Sequence, residues 1–385
     1  MIYRLVLLLS AISFLAACGG GGGGVQPTVY PAISLSTSTS SLAENSGTTV
    51  TLTVTASKIS DEDITVTLST SGTATDGTDY SAVNGSSLTI TAGTTTAIKT
   101  FTITDNSIYE GNETVIVAIS TVSGGSATEN GTQTETITIT ENESAPTITL
   151  STSTSSVAEN SGTIVTLTVT SSQAADEDIT VTLASSGTAT DGTDYSSVNS
   201  SSLTITTGTT TATKTFTITD NSIYEGNETI IVSINTVSGG GAAESETQTE
   251  TITITENESA PTVSIDVDGA TSASVYDNGS NLTLTATSTQ ISDEAITVVI
   301  GTSVGGATEG TDYAVISDIT IAAGATTGTA IFNPTADTVN EGSETETVSI
   351  TSVSGADSTT SGTSSISITI NEYALRTGTA FTEGT

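Results

Sequence analysis

Apolar side chains recur at every second position in short runs along most of the chain. In the first third these runs are Ile33/Leu35, Val50/Leu52/Val54, Ile64/Val66/Leu68, Leu88/Ile90, Phe101/Ile103, Val115/Val117/Ile119 and Ile137/Ile139. A period of two places such residues on one face of a strand, so each run predicts a strand with one buried and one solvated face. Thr and Ser fill the intervening positions, and the branched Cβ of Thr suits a pleated surface. Gly, Asn, Asp and Ser separate the runs and predict turns. Seven such strands in about 110 residues predict an immunoglobulin-like β-sandwich. After Phe14 no stretch shows a helical period, so the fold class is all-β.

The pattern then repeats. Glu44-Asn45-Ser46-Gly47 returns 115 residues later as Glu159-Asn160-Ser161-Gly162, and Gly77-Thr78-Asp79-Tyr80 returns as Gly192-Thr193-Asp194-Tyr195. The nine residues Asp105–Glu113 recur unchanged at 220–228, and a diverged third copy carries Gly310-Thr311-Asp312-Tyr313 and Glu341-Gly342-Ser343-Glu344. Solenoid and propeller repeats run to about 20–50 residues, so each unit here is a whole domain. The expected organisation is three tandem seven-stranded sandwiches at 30–144, 145–259 and 260–373, followed by a tail at 374–385 without clear pattern. The junctions Glu141–Pro146 and Glu256–Pro261 are short and end in proline, which predicts restricted swinging and a rod-like array.

Charge sharpens this picture. The chain holds 42 acidic and five basic residues with no His, a formal net charge of −37. Such a polyanion repels nucleic acid and anionic lipid and attracts cations. The alternating Val, Ile and Leu separate it from a disordered acidic tail. Catalysis is not expected: nucleophilic hydrolysis needs a base, usually His, and the chain has none. Phosphate-cradling loops are also missing, and with no Trp a sugar cleft is not indicated.

The N-terminus carries an address. Met1–Arg4 is a short basic region and Leu5–Phe14 an apolar stretch too short to span a bilayer. It leads into Leu15-Ala16-Ala17-Cys18, which resembles the lipobox of bacterial lipoproteins. That resemblance implies a signal peptide over 1–18, cleavage before Cys18 and diacylglycerol on its thiol, anchoring the protein in a membrane. Cys18 is the only cysteine, so no disulfide competes for it. Gly19 follows where the family's inner-membrane retention rule wants Asp, so the outer membrane or cell surface is expected. The Gly-rich stretch 19–29 reads as a flexible tether.

Each repeat combines Ala-Glu-Asn-Ser-Gly, a Gly-Thr-Asp-Tyr segment, Asp-Asn-Ser-Ile-Tyr-Glu-Gly-Asn-Glu and a closing Thr-Ile-Thr-Ile-Thr-Glu-Asn-Glu strand, with the third copy looser. Together they resemble the Calx-β domain over about residues 30–373. The resemblance implies a seven-stranded sandwich that, in the family's calcium-binding members, holds Ca²⁺ at one end through carboxylates from several loops. Carried over by motif, the ligands in repeat one are Glu44, Asp79, Asp105, Glu110, Glu113, Glu141 and Glu143. In repeat two they are Glu159, Asp194, Asp220, Glu225, Glu228, Glu256 and Glu258. In repeat three they are Asp277, Asp312, Asp337, Glu341, Glu344 and Glu372. The chemistry agrees, since Ca²⁺ takes six to eight oxygen ligands and needs neither imidazole nor thiolate. Where strong calcium binders have an Asp run, this chain has Asp105-Asn106-Ser107 and Asp220-Asn221-Ser222, which implies fewer or weaker sites.

Tyr80, Tyr195 and Tyr313 are expected to be structural, ring in the core and hydroxyl on backbone. The expected function is a calcium-binding cell-surface lipoprotein serving adhesion, matrix contact or spacing. Two other readings stay open: a metal-independent stalk, and a module binding a surface protein or glycan through an exposed sheet edge.

Overall fold

The computed structural model describes residues 29–303, 306–337, 339 and 341–373. The signal segment with Cys18, the tether up to Thr28 and the tail 374–385 lie outside the described residues. The chain divides into two compact units, one of residues 1–106 with 112–142, the other of 107–111 with 143–385.

The first unit shows the sandwich in full. Its strands are β1 (Ala32–Thr37), β2 (Ser41–Ala43), β3 (Thr49–Ala56), β4 (Ile64–Gly72), β5 (Ser87–Ile90), β6 (Thr96–Thr102), β7 (Glu113–Ser123), β8 (Thr128–Glu129) and β9 (Thr134–Thr140). One sheet runs β6-β3-β1-β8 and the other β2-β9-β7-β4-β5. Alternation decides which side is dry: Val50, Leu52, Val54 and Ala56 of β3 are buried while Thr51, Thr53 and Thr55 face outward. Ile33, Ile64, Val66, Val115, Val117 and Ile137 close the core from both sheets.

All seven sequence-predicted strands are present, and two further short ones join them. The two additions, β2 and β8, pair parallel with β9 and β1 over three and two residues respectively. Segments that short depend on a distant partner, so no local pattern announces them. The Tyr80 ring packs against Phe101 with centroids 5.6 Å apart. Its hydroxyl meets the side chains of Thr70 and Asp76 rather than backbone, and burial pushes its pKa up. The expected backbone partner is therefore corrected: polar side chains on β4 and its following loop are nearer.

In the second unit the same sandwich occurs twice. One copy runs from Thr147–Thr152 to Thr249–Thr255 and the other from Thr262–Val267 to Ser365–Asn371, each with a four- and a five-stranded sheet. Glycine is obligatory where β4-type strands end. Gly187 sits at φ +119° with the space for a Cβ only 2.1 Å from the Thr229 carbonyl oxygen, a close approach that only Gly permits.

Candidate metal centres

In repeats two and three, four chain segments converge on one end of the sandwich. They are the turn after the short edge strand, the Gly-Thr-Asp-Tyr loop, the Asp-Asn-Ser-Ile-Tyr-Glu-Gly-Asn-Glu loop and the end of the closing strand.

Repeat two shows the arrangement within one unit. Glu159 opens a single 3₁₀ turn, Glu159–Ser161, which Gly162 ends in the left-handed region at φ +63°. That turn directs the Glu159 side chain inward, where it is only 5% exposed, and its Oε1 accepts the Asn221 N–H at 3.2 Å. Glu256 and Glu258 meet it, the three offering carboxylate oxygens within 4.8 Å of one another. Asp194, 6% exposed, forms a second such group with Glu225 and Glu228. Glu256 organises the loop between the groups, its Oε2 accepting the N–H of Glu225 at 2.7 Å and of Gly226 at 2.9 Å.

The electrostatics of these carboxylates differ from those of their neighbours. Burial, then the charges of Glu256, Glu225 and Glu258, push Glu159 up to about 7 against the single bond from Asn221. Burial with Asp194, Glu225 and Asp293 pushes Glu228 up to about 7 as well. Glu225 is raised by burial in spite of a bond from Asn221, and Glu258 is raised mainly by its contact with Glu256. Glu256 is also desolvated, yet its backbone N–H donors outweigh burial and hold it low.

Asp191, three residues before Asp194, is the contrast. Burial pushes it up, but bonds from Ser197, Asn199, Ser185 and Val198 outweigh this and hold it at about 2. Asp76 in repeat one is lowered in the same way by Asn84, Val83 and Thr70. These two aspartates are satisfied by protein donors and pin the loop that presents Asp194 or Asp79. Glu159 has a single backbone donor against its several acidic neighbours, and the Glu258 Oε2 is buried with no hydrogen-bond partner. Lys214 is the only basic residue among the described residues of the second unit. It lies in the strand Thr211–Thr217. A donor set made only of carboxylate oxygens is of the type that suits Ca²⁺.

In the first unit Glu44 and Asp79 are buried. Glu44 comes within 4.8 Å of Glu141, and Asp79 within 4.8 Å of Glu113. The Asn106 N–H donates to Glu44 at 3.3 Å, as Asn221 does to Glu159. Glu110 and Glu143 are half-buried and fall in the second unit.

Repeat three brings Asp277, Asp312, Asp337, Glu341, Glu344 and Glu372 around one depression, with Asp312, Asp337 and Glu341 forming the tight group. Its loop has the same length, but the aspartate stands one position later, with Ala336 in the place of Asp220 and Asp337 in that of Asn221. This draws Asp337 into the group, whereas Asp105 and Asp220 are exposed and belong to no such group of three among the described residues.

Some acidic groups near these ends carried no sequence signal. Asp76 and Asp191 immediately precede the Gly-Thr-Asp-Tyr motif, where an Asp followed by Gly is a turn acceptor rather than a recognised ligand position. Asp293 approaches the repeat-two group from another sandwich and repels Asp194. Glu346 stands where repeats one and two have Val115 and Ile230. It is fully buried, with its Oε1 held by the Ser303 N–H and hydroxyl.

Residues 28–143, 141–258 and 264–373 each match the Calx-beta domain family model. No curated protein matches. Among solved structures, the chain resembles CBD12 from CALX1.2 at 14% identity and TM-score 0.27, covering 59% of this chain and 100% of that one. It resembles the apo-form Calx CBD1 domain at 14% and 0.26, covering 29% and 99%. The Yersinia pseudotuberculosis adhesin InvE aligns at 14% and 0.25, covering 62% of each. These structural likenesses are too distant to bear on function.

Proposed function

Because the chain belongs to the Calx-beta domain family, we propose that it binds Ca²⁺ at one end of each sandwich, as an exported, lipid-anchored surface protein serving adhesion or spacing. The observation that carries the calcium reading is the contrast between carboxylates at one end of the same sandwich. Asp191 is saturated with donors and held at about 2, while burial and neighbouring acids drive Glu159 and Glu228 up to about 7. A carboxylate cluster of this kind is unfavourable without a cation.

In repeat two, Glu159, Glu256 and Glu258 would hold one ion and Asp194, Glu225 and Glu228 another, with Glu225 close enough to repel Glu159. Calcium supplies charge neutralisation and no reaction step. The reading assigns no catalytic role to any residue: the clustered carboxylates act as ligands, and the chain has no His to serve as a base.

Binding at these ends stabilises the fold by RT ln(1 + [L]/Kd). At extracellular calcium, Kd values of about 10⁻⁴–10⁻³ M suffice. Melting curves of the mature protein in chelator and in millimolar calcium test this; coincident curves would leave a metal-independent stalk.

The lipid anchor is supported by Leu15-Ala16-Ala17-Cys18 and the six glycines after it. Mass spectrometry of Cys18 tests it, with a diacylglyceryl thioether expected and a free thiol contradicting it. An outer-membrane or surface position follows from Gly19. Protease shaving of whole cells checks it.

A further inference from the structure

Tyr109 and Tyr224 are equivalent residues of the repeated loop, and each sits in a socket on a sandwich of the second unit. Tyr109 donates its N–H to the Ala174 carbonyl at 3.0 Å and accepts the Asp176 N–H at 3.1 Å. Tyr224 does the same with Ile291 at 2.9 Å and Asp293 at 3.2 Å. The Tyr109 ring lies over Gly241, where a Cβ would come within 2.6 Å of it. The Tyr224 hydroxyl donates to Asp357 Oδ2, at the same place in the repeat, at 2.9 Å. The residue bridged to each tyrosine, Ala175 or Ser292, is only 2% exposed.

Repeat one builds the same socket and leaves it open. Gly93 donates its N–H to the Ser60 carbonyl at 2.9 Å, as Gly208 does to Ala175 at 2.9 Å and Gly324 to Ser292 at 2.8 Å. Glu62 accepts the Gly125 N–H, as Glu177 accepts that of Gly240 and Glu294 that of Ala356. Ser126 stands where Gly241 and Asp357 do, at φ +51° against +60° and +47°. Among the described residues, however, none bonds to the Ile59 carbonyl or the Asp61 N–H. Ser60 is only half-buried. Ile59 is 61% exposed, whereas Ile291, beside a docked tyrosine, is 37% exposed. Residues 19–28 hold no aromatic side chain that could fill the gap.

The rim adds a charge. Lys58 stands where repeats two and three have Gln173 and Gln290. Those glutamines donate to the Ser144 and Ser259 carbonyls, while Lys58 is exposed. Of the acids nearby, Glu62 and Asp63 are engaged by the N–H groups of Gly125 and Ala92, and Asp61 has counterparts in both filled sockets. The loops in those sockets carry Glu directly after the tyrosine, as Glu110 and Glu225, so an acidic segment complements Lys58.

We propose that this face of repeat one is a docking site for a tyrosine-bearing acidic loop of a second protein. The loop donates to the Ile59 carbonyl, accepts the Asp61 N–H and lays its ring over Gly125 and Ser126, with its acid towards Lys58. Main-chain pairing of this kind supplies affinity, and the ring supplies selectivity. Tyr109 and Tyr224 of another copy are already held in their own sockets, so the partner is a different chain. The proposal uses none of the calcium ligands and is independent of the calcium reading.

The test titrates the full mature chain, in chelator, into a fluorescein-labelled peptide with the sequence of residues 105–113 and reads its anisotropy. Saturable binding of one peptide per chain is expected, and the Tyr109→Ala peptide should bind about tenfold more weakly or worse. Ile59→Asp in the chain should weaken binding as strongly, yet melt as wild type does because Ile59 is largely exposed. Lys58→Gln should retain binding and flatten its dependence on salt. Hydrogen exchange gives a second readout: in the free chain the Asp61 amide should exchange faster than those of Asp176 and Asp293, and the peptide should slow it. Absence of saturable binding at millimolar peptide, equal binding of the alanine peptide, or an Asp61 amide as protected in the free chain as that of Asp176 would overturn the proposal.

Discussion

Replacing Glu159 by Gln removes one charge from the repeat-two centre and leaves an oxygen for the Asn221 N–H. In the fold Glu159 titrates at about 7 against an ordinary 4.5. A raised carboxylate pKa means that the folded state holds its proton more tightly than the unfolded chain. The native charge is therefore harmless below 4.5 and fully destabilising above about 7. A gap of about 2.5 units corresponds to about 3 kcal/mol. Solvent at the end of the sandwich screens part of it, leaving about 2 kcal/mol. In chelator at pH 8, Glu159→Gln should thus raise the melting temperature of the second unit by about 4 °C. At pH 4.5 or below the gain should vanish, because the native glutamate is then largely protonated. In saturating calcium the sign should reverse, since the amide is a poorer ligand than the carboxylate. Scanning calorimetry of the full mature chain in those three conditions reads all three signs. An equal shift at both pH values, or a gain that survives calcium, would refute the argument that repulsion and desolvation load this side chain.

Other outcomes follow from the same structure. In chelator the wild-type chain should lose stability as pH rises from 4.5 to about 7, the interval over which Glu159 and Glu228 ionise, and calcium should flatten that profile. Over the same interval calcium binding should release protons, read as a buffer-dependent heat in titration calorimetry. Asp191→Ala should lower stability by about 2 kcal/mol with or without calcium, because the N–H groups of Val198 and Asn199 lose their acceptor. Asp191 is held at about 2, so its contribution is complete above the ordinary 3.8 and fades only as pH falls towards 2; denaturant titrations at pH 7 and pH 2 check this. Gly187→Ala should destabilise by more than about 2 kcal/mol, since its Cβ meets the Thr229 carbonyl and its φ is positive.

The strands were legible because their alternation is strict. Thr-Val-Thr-Leu-Thr-Val-Thr leaves one register in which a sandwich can form, and β3 adopts it. The short strands Ser41–Ala43 and Thr128–Glu129 were not legible, since a two- or three-residue parallel pairing is decided by a partner strand distant in sequence. For the centres, the motifs named Glu159, Asp194, Glu225, Glu228, Glu256 and Glu258, and the fold gathers these six into two groups of three. The motifs also named Asp220, which joins no such group among the described residues although its charge reaches Glu258. They also passed over Asp191, whose local donors appear only when the loop closes around it. Tyr224 and Asp293 were invisible for another reason. A repeat read by itself contains neither the surface on which its tyrosine docks nor the aspartate supplied by its neighbour.

The most direct test of the account is calorimetric titration of calcium chloride into the mature chain purified free of calcium. Saturable heat, with melting curves that move upward as sites fill, is the predicted result, and the stoichiometry reports whether repeat three takes part alongside repeats one and two. Absence of heat and coincident melts up to millimolar calcium would contradict it, and the clustered acids would then be surface charge on a passive spacer.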